Sequence, residues 1–187
     1  MKKFALMALL ALELVVCGCG TSTPNDTTNT QATGNWEAQL TGGTQQASLL
    51  NFVTTFTVTN SGPLDITGLA FFNSGACFGT GTNAETESGT ASFTTSSTNS
   101  VTGTLSLTIN STTGNTLLLS GDLTGTSNGS TTTTGTLSNG VVVGTWTLNA
   151  ADPNCTGGTN GGTFIMCQNK ATCSATAAAI AAKKHPK

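Results

Sequence analysis

The feature that most constrains this chain is the alternation of apolar and polar side chains with a period of two. It recurs from residue 36 to residue 166 and is broken at short intervals by Gly, Asn, Ser and Asp. Trp36, Ala38 and Leu40 form the first set, and Leu50, Phe52, Phe56 and Val58 the second. Leu69 and Phe71, with Phe72 beside them, follow, then Ala91 and Phe93, Leu105, Leu107 and Ile109, and Leu117, Leu119 and Leu123. Val142, Trp146 and Leu148, then Phe164 and Met166, close the series. Side chains on a strand point alternately to opposite faces, so this pattern predicts strands with one buried and one solvated face. Ser61-Gly62-Pro63, Thr113-Gly114-Asn115, Asn128-Gly129 and Asn139-Gly140 read as turns between them. The expected fold is all-β, with eight or nine antiparallel strands.

A second pattern shapes that sheet. Gly-Thr followed by a large apolar residue recurs at Gly103-Thr104-Leu105, Gly135-Thr136-Leu137, Gly144-Thr145-Trp146 and Gly162-Thr163-Phe164. Glycine inside a strand gives up packing and occurs where a strand bends or coils. The expectation is a single up-and-down barrel or a strongly coiled β-sandwich. Closure into a barrel would also remove the exposed edges that invite aggregation.

The N-terminus has a different character. Lys2 and Lys3 precede an apolar run from Phe4 to Val16, which is too short for a stable membrane span. Val16-Cys17-Gly18-Cys19-Gly20 follows, offering a thiol preceded by a small residue. This arrangement resembles the lipobox signal peptide of bacterial lipoproteins, with Val16 three positions before Cys19 and Gly18 immediately before it. The resemblance implies that a signal helix over residues 1–18 is removed and that Cys19 carries acyl chains, of palmitate type. It further implies a cell-envelope location, with outer-membrane placement favoured because Gly20 is not the aspartate of the inner-membrane retention rule. Residues 19–33, rich in Thr, Asn and Pro, cannot repay their ordering entropy by burial and read as a disordered tether. The β domain is expected over residues 34–168, a size for one domain, and residues 169–187 form a C-terminal tail. Within that tail Ala175 to Ala182 offers a helix too short to be stable alone, followed by Lys183, Lys184, His185 and Lys187.

Two further likenesses concern the body. Gly34-Asn35-Trp36 is similar to the Gly-x-Trp that opens lipocalin and avidin barrels, and Val143-Gly144-Thr145-Trp146 has a similar look. The chain has no arginine and no tyrosine, so no ligand residue of those families carries over. The Gly-Asn-Trp start and late Gly-Thr-Trp also resemble Thr/Gly-rich bacterial lipoproteins, a likeness that implies no activity.

Charge excludes one partner class. Only 7% of the residues are charged. Loss of residues 1–18 removes Lys2, Lys3 and Glu13 and leaves four lysines against seven carboxylates, with Lys170 the sole cation ahead of the terminal group Lys183, Lys184 and Lys187. A nucleic-acid surface needs clustered cations, so no nucleic-acid partner is expected. Four body cysteines remain: Cys77, Cys155, Cys167 and Cys173. An even number in an oxidising compartment predicts two disulfides with three connectivities open. Cys77–Cys155 with a local Cys167–Cys173 is preferred, and Cys155–Cys167 across the last hairpin is the alternative. No Cys-x-x-Cys pair exists and the single histidine is His185, so no metal and no cofactor is expected.

Catalytic residues are equally sparse. A hydroxyl nucleophile needs an adjacent base, and His185 is stranded in the tail. The carboxylates beyond residue 18 are Asp26, Glu37, Asp65, Glu85, Glu87, Asp122 and Asp152. Glu85 and Glu87 fall in a stretch that reads as a solvated loop, while Glu37 and Asp122 have the parity of the solvent face. The expectation is therefore no enzyme and no catalytic residue. Two functions remain: a membrane-anchored structural or interaction module that meets a protein or glycan partner, and a calycin-like carrier in which Trp36, Phe52, Phe56 and Trp146 line a cavity for a small apolar ligand. An eight-stranded barrel is just wide enough to be filled by side chains or to hold one small ligand. The inward residues here are bulky, which favours the interaction module.

Overall fold

In a computed structural model of the chain, the described residues are 30–42, 48–74, 76–79, 85–129, 135–155, 160–168 and Cys173. The signal segment with Cys19, residues 19–29 of the tether and the tail apart from Cys173 lie outside them. The strands are β1 (Thr30–Gly42), β2 (Ser48–Thr59), β3 (Ser61–Pro63), β4 (Asp65–Asn73), β5 (Thr86–Thr95), β6 (Ser100–Asn110), β7 (Thr116–Ser127), β8 (Gly135–Asn149) and β9 (Gly161–Cys167). They form one nine-stranded sheet in the order β3-β5-β6-β7-β8-β9-β1-β2-β4.

The sheet curls into a half-barrel, antiparallel as the alternation predicts and strongly coiled as the Gly-Thr repeat predicts. β5 to β9 run up and down as a meander, β9 pairs with β1, and β1 continues through β2 to β4. The first residues of β1 also pair in parallel with the start of β8. β4 and β5 are not hydrogen-bonded neighbours, which leaves a seam. That seam is bridged at one end by β3, at the tip of the β2–β4 connection, where Ser61, Gly62 and Pro63 pair with Ser92, Ala91 and Thr90. The sequence predicts a turn at Ser61-Gly62-Pro63. Asn60 at φ 53° and Gly62 at φ 144° do supply a bend, but the segment is itself the strand that spans the seam.

The Gly-Thr-apolar repeat has a geometric cause. Glycine and the large residue face inward and the threonine outward. A Cβ added at Gly144 would stand 2.0 Å from the Ser120 carbonyl oxygen, and one at Gly162 would stand 1.9 Å from that of Thr41. Neighbouring backbones thus close over these positions as the sheet coils, and no side chain fits there. Asn139-Gly140, read as a turn, lies inside β8 instead. Thr124 pairs with Val141 and Thr126 with Ser138, so β8 carries one extra residue. Asn139 takes a left-handed conformation at φ 54°, which makes the pair a β-bulge.

The interior is packed with side chains. Trp36 stacks on Phe56 at 5.2 Å, Phe52 meets Phe71 at 5.3 Å, and Phe71 stacks on Phe78 at 4.6 Å. Both ends are tied by polar groups. At one, Thr30 Oγ1 lies 2.7 Å from Thr95 Oγ1 and 2.9 Å from Ser127 Oγ, joining β1, β5 and β7. Residues 30–33, expected in the tether, are therefore strand, with Thr30 buried. At the other end buried Asn115 donates to the Cys77 carbonyl at 2.7 Å and accepts from the Ala151 and Asp152 amides. Disulfides join Cys77 to Cys155 and Cys167 to Cys173, the preferred pairing. Buried Cys173 carries the domain past residue 168.

Candidate functional site

Two places combine polar chemistry with a defined geometry. The first is a groove of about 460 Å³ on the outer face, lined by Ser61 and Gly62 of β3, Thr90, Ala91 and Ser92 of β5, Thr104, Leu105 and Ser106 of β6, and Ser120 of β7. Its polar side chains are all hydroxyls. The strands place them there by parity, since Ala91, Leu105 and Leu107 turn into the core while the residues between them face out. Thr90 Oγ1 and Ser106 Oγ are hydrogen-bonded at 3.0 Å. None of the lining residues is charged, and the described residues contain no Lys, Arg or His. A hydroxyl both donates and accepts, so this groove suits a ligand with both kinds of group and no net charge.

The second place is Glu87. The sequence around it predicts a solvated loop, but Thr86–Thr95 is a strand. Glu87 shares the inward parity of Gly89, Ala91 and Phe93. Its Oε2 accepts a hydrogen bond from Thr54 Oγ1 of β2 at 2.9 Å, across the seam where β4 and β5 do not pair. Its Oε1 is buried without a partner. Desolvation pushes its pKa up to about 7, only partly opposed by the Thr54 bond. Burial, with no cation among the described residues to offset it, thus shifts the group toward the protonated acid. Glu85 reaches back to accept from the Gly79 amide, and its Oε2 is also buried without a partner. Reading the alternation backwards from Phe93 and Ala91 would have carried it through Gly89 to Glu87; the Ser/Thr/Asn-rich flank hid it.

The aromatic residues expected to line a ligand cavity sit elsewhere. Trp36, Phe52, Phe56 and Trp146 are at most 1% exposed, in one contiguous core, and none borders the groove. Trp146 donates from Nε1 to the Thr41 carbonyl at 3.0 Å, whereas buried Trp36 Nε1 has no partner. Glu37 and Asp122 face outward as expected, half-buried and exposed respectively. No group of metal-ligating side chains occurs among the described residues. Comparison with protein-family models, with curated proteins and with solved structures gives no match.

Proposed function

We propose that the protein is a lipid-anchored cell-envelope lipoprotein whose β domain is a non-catalytic interaction module, held to the membrane through Cys19 and facing a protein or glycan partner. The observation that carries this reading is the division of the half-barrel into an aromatic-filled interior and an outer face with no cation among the described residues, indented by a hydroxyl groove. A calycin-like carrier needs interior room for its ligand. Here Trp36, Phe56, Phe52 and Phe71 occupy that space against one another. All four described cysteines are in disulfides, which leaves no free thiol among the described residues.

The anchor is tested by substitution. Each buried methylene contributes about 0.8 kcal/mol to membrane attachment, so two or three acyl chains hold a protein almost permanently. Cys19→Ser should move the chain from the membrane to the soluble fraction. A Cys19→Ser chain that still sediments with membranes overturns the lipoprotein reading. Melting temperature measured with and without fatty acid or retinol tests the module against the carrier, and no shift is expected.

A further inference from the structure

The pairing register places six outward hydroxyls in one line. Thr90 pairs with Ser106, Ser106 with Ser120, Ser120 with Thr145, Thr145 with Thr163 and Thr163 with Thr41. The row crosses β5, β6, β7, β8, β9 and β1 without interruption. Neighbouring strands stand about 4.8 Å apart, and the next outward row lies about 6.7 Å along the strands. Hydroxyls at both ends of the row hydrogen-bond to each other, Thr90 to Ser106 at 3.0 Å and Thr41 to Thr163 at 3.1 Å. The groove lies at the β5 end, so a ligand seated there continues onto the row.

We propose that this row and its groove bind a neutral polysaccharide, with the chain crossing the strands and its sugar hydroxyls exchanging hydrogen bonds with the protein's. The proposal deepens the interaction-module reading and rests on it. Charge selects the ligand class. No cation lies among the described residues to recognise phosphate or uronate, and exposed Asp122, paired in register with Thr104 of the groove, repels anionic polymers. A ligand rich in both donors and acceptors satisfies hydroxyls that a flat apolar partner would leave desolvated and unpaired. No aromatic ring lines the groove to add stacking. Binding is accordingly weak at one site, and many copies on one membrane raise it by avidity.

The test is an amide chemical-shift titration of the full lipidated chain, in a detergent without sugar groups, with maltoheptaose, cellohexaose and chitohexaose as probes. The expected result is saturable shifts at Gly62, Thr90, Ser106 and Ser120 with at least one probe, at a dissociation constant on the order of 1 mM. Ser120→Lys and Thr90→Lys, each checked for intact disulfides and wild-type circular dichroism, should weaken binding about tenfold or more. Asn154→Lys, on an end loop, should bind as wild type. The proposal is overturned if no probe produces saturable shifts at millimolar concentration, if the shifts fall away from this row, or if both lysine variants bind as wild type. It is also overturned if a protein partner occupies this face while every sugar is ignored. A chain that sediments with membranes yet ignores all three sugars loses this inference alone. One that binds sugar but fails the Cys19→Ser fractionation loses the anchor alone.

Discussion

At the residue scale, the most informative position is Glu87, a carboxyl group held inside the half-barrel by one hydroxyl. Its folded pKa of about 7 lies above the value of 4.5 for an exposed glutamate, so the folded chain holds the proton more tightly than the unfolded chain. The resulting stabilisation is complete below about pH 4 and is lost as pH rises through about 7, amounting to about 3 kcal/mol. Unfolding free energy from urea titrations should fall across this interval and flatten above it. Glu87→Gln should remove most of that slope; an unchanged slope would place the titration elsewhere. Asn115 acts by a different route. Its amide serves three backbone groups in two loops, and Asn115→Ala leaves them without those partners, at a cost of roughly 2–4 kcal/mol. A midpoint within experimental error of wild type in the same titration would show that the loops do not depend on it. Neither role can be read from one position in the chain, because each depends on a partner at least 33 residues away.

At the element scale, the strands are long and rich in threonine, and the devices that shape them are small. Glycine at position 144 lets the β7 backbone approach, so Gly144→Ala must displace a neighbouring strand. The expected cost is about 2–3 kcal/mol by overpacking, read as a lowered melting temperature. Gly68→Ala is the control, since its added Cβ would meet Thr55 at an ordinary 3.6 Å; equal losses at both sites would refute the close-approach argument. The Gly-Thr repeat foretold curvature correctly, because a strand that must coil declares it in composition. Asn-Gly was less reliable. At residues 139–140 the left-handed asparagine that suits a hairpin also suits a bulge, and the continuing pairing with β7 decides between them.

At the scale of the whole molecule, the sheet is held as a half-barrel by contacts that bypass strand pairing: the Thr30–Thr95–Ser127 hydroxyl cluster at one end, and the Cys77–Cys155 bridge with Asn115 at the other. The disulfides differ in span, 78 residues against 6. Restriction of the unfolded chain then stabilises by about 4.5 kcal/mol for the first and about 2 kcal/mol for the second. The paired variant Cys77→Ser/Cys155→Ser should therefore lose more in denaturant titrations than Cys167→Ser/Cys173→Ser. The reverse order would show that the short bridge, through the packing of Cys167 and Cys173 with Val141 and Ile165, matters more than chain entropy.

By itself the sequence determined that the body is an antiparallel β protein with one apolar face, because strand periodicity is local and survives in the order of residues. It determined that the sheet coils, that its cysteines are even in number, and that the described body lacks the cations an anionic ligand would need. Only the tertiary structure decided which edges meet. It placed β9 between β8 and β1, left β4 and β5 unpaired, turned Ser61-Gly62-Pro63 into the strand that bridges them, drew residues 30–33 into the fold and turned Glu87 inward. The physical reason is that register and closure depend on groups far apart in the chain meeting in one place. A row of hydroxyls across six strands exists only once every register between them is set.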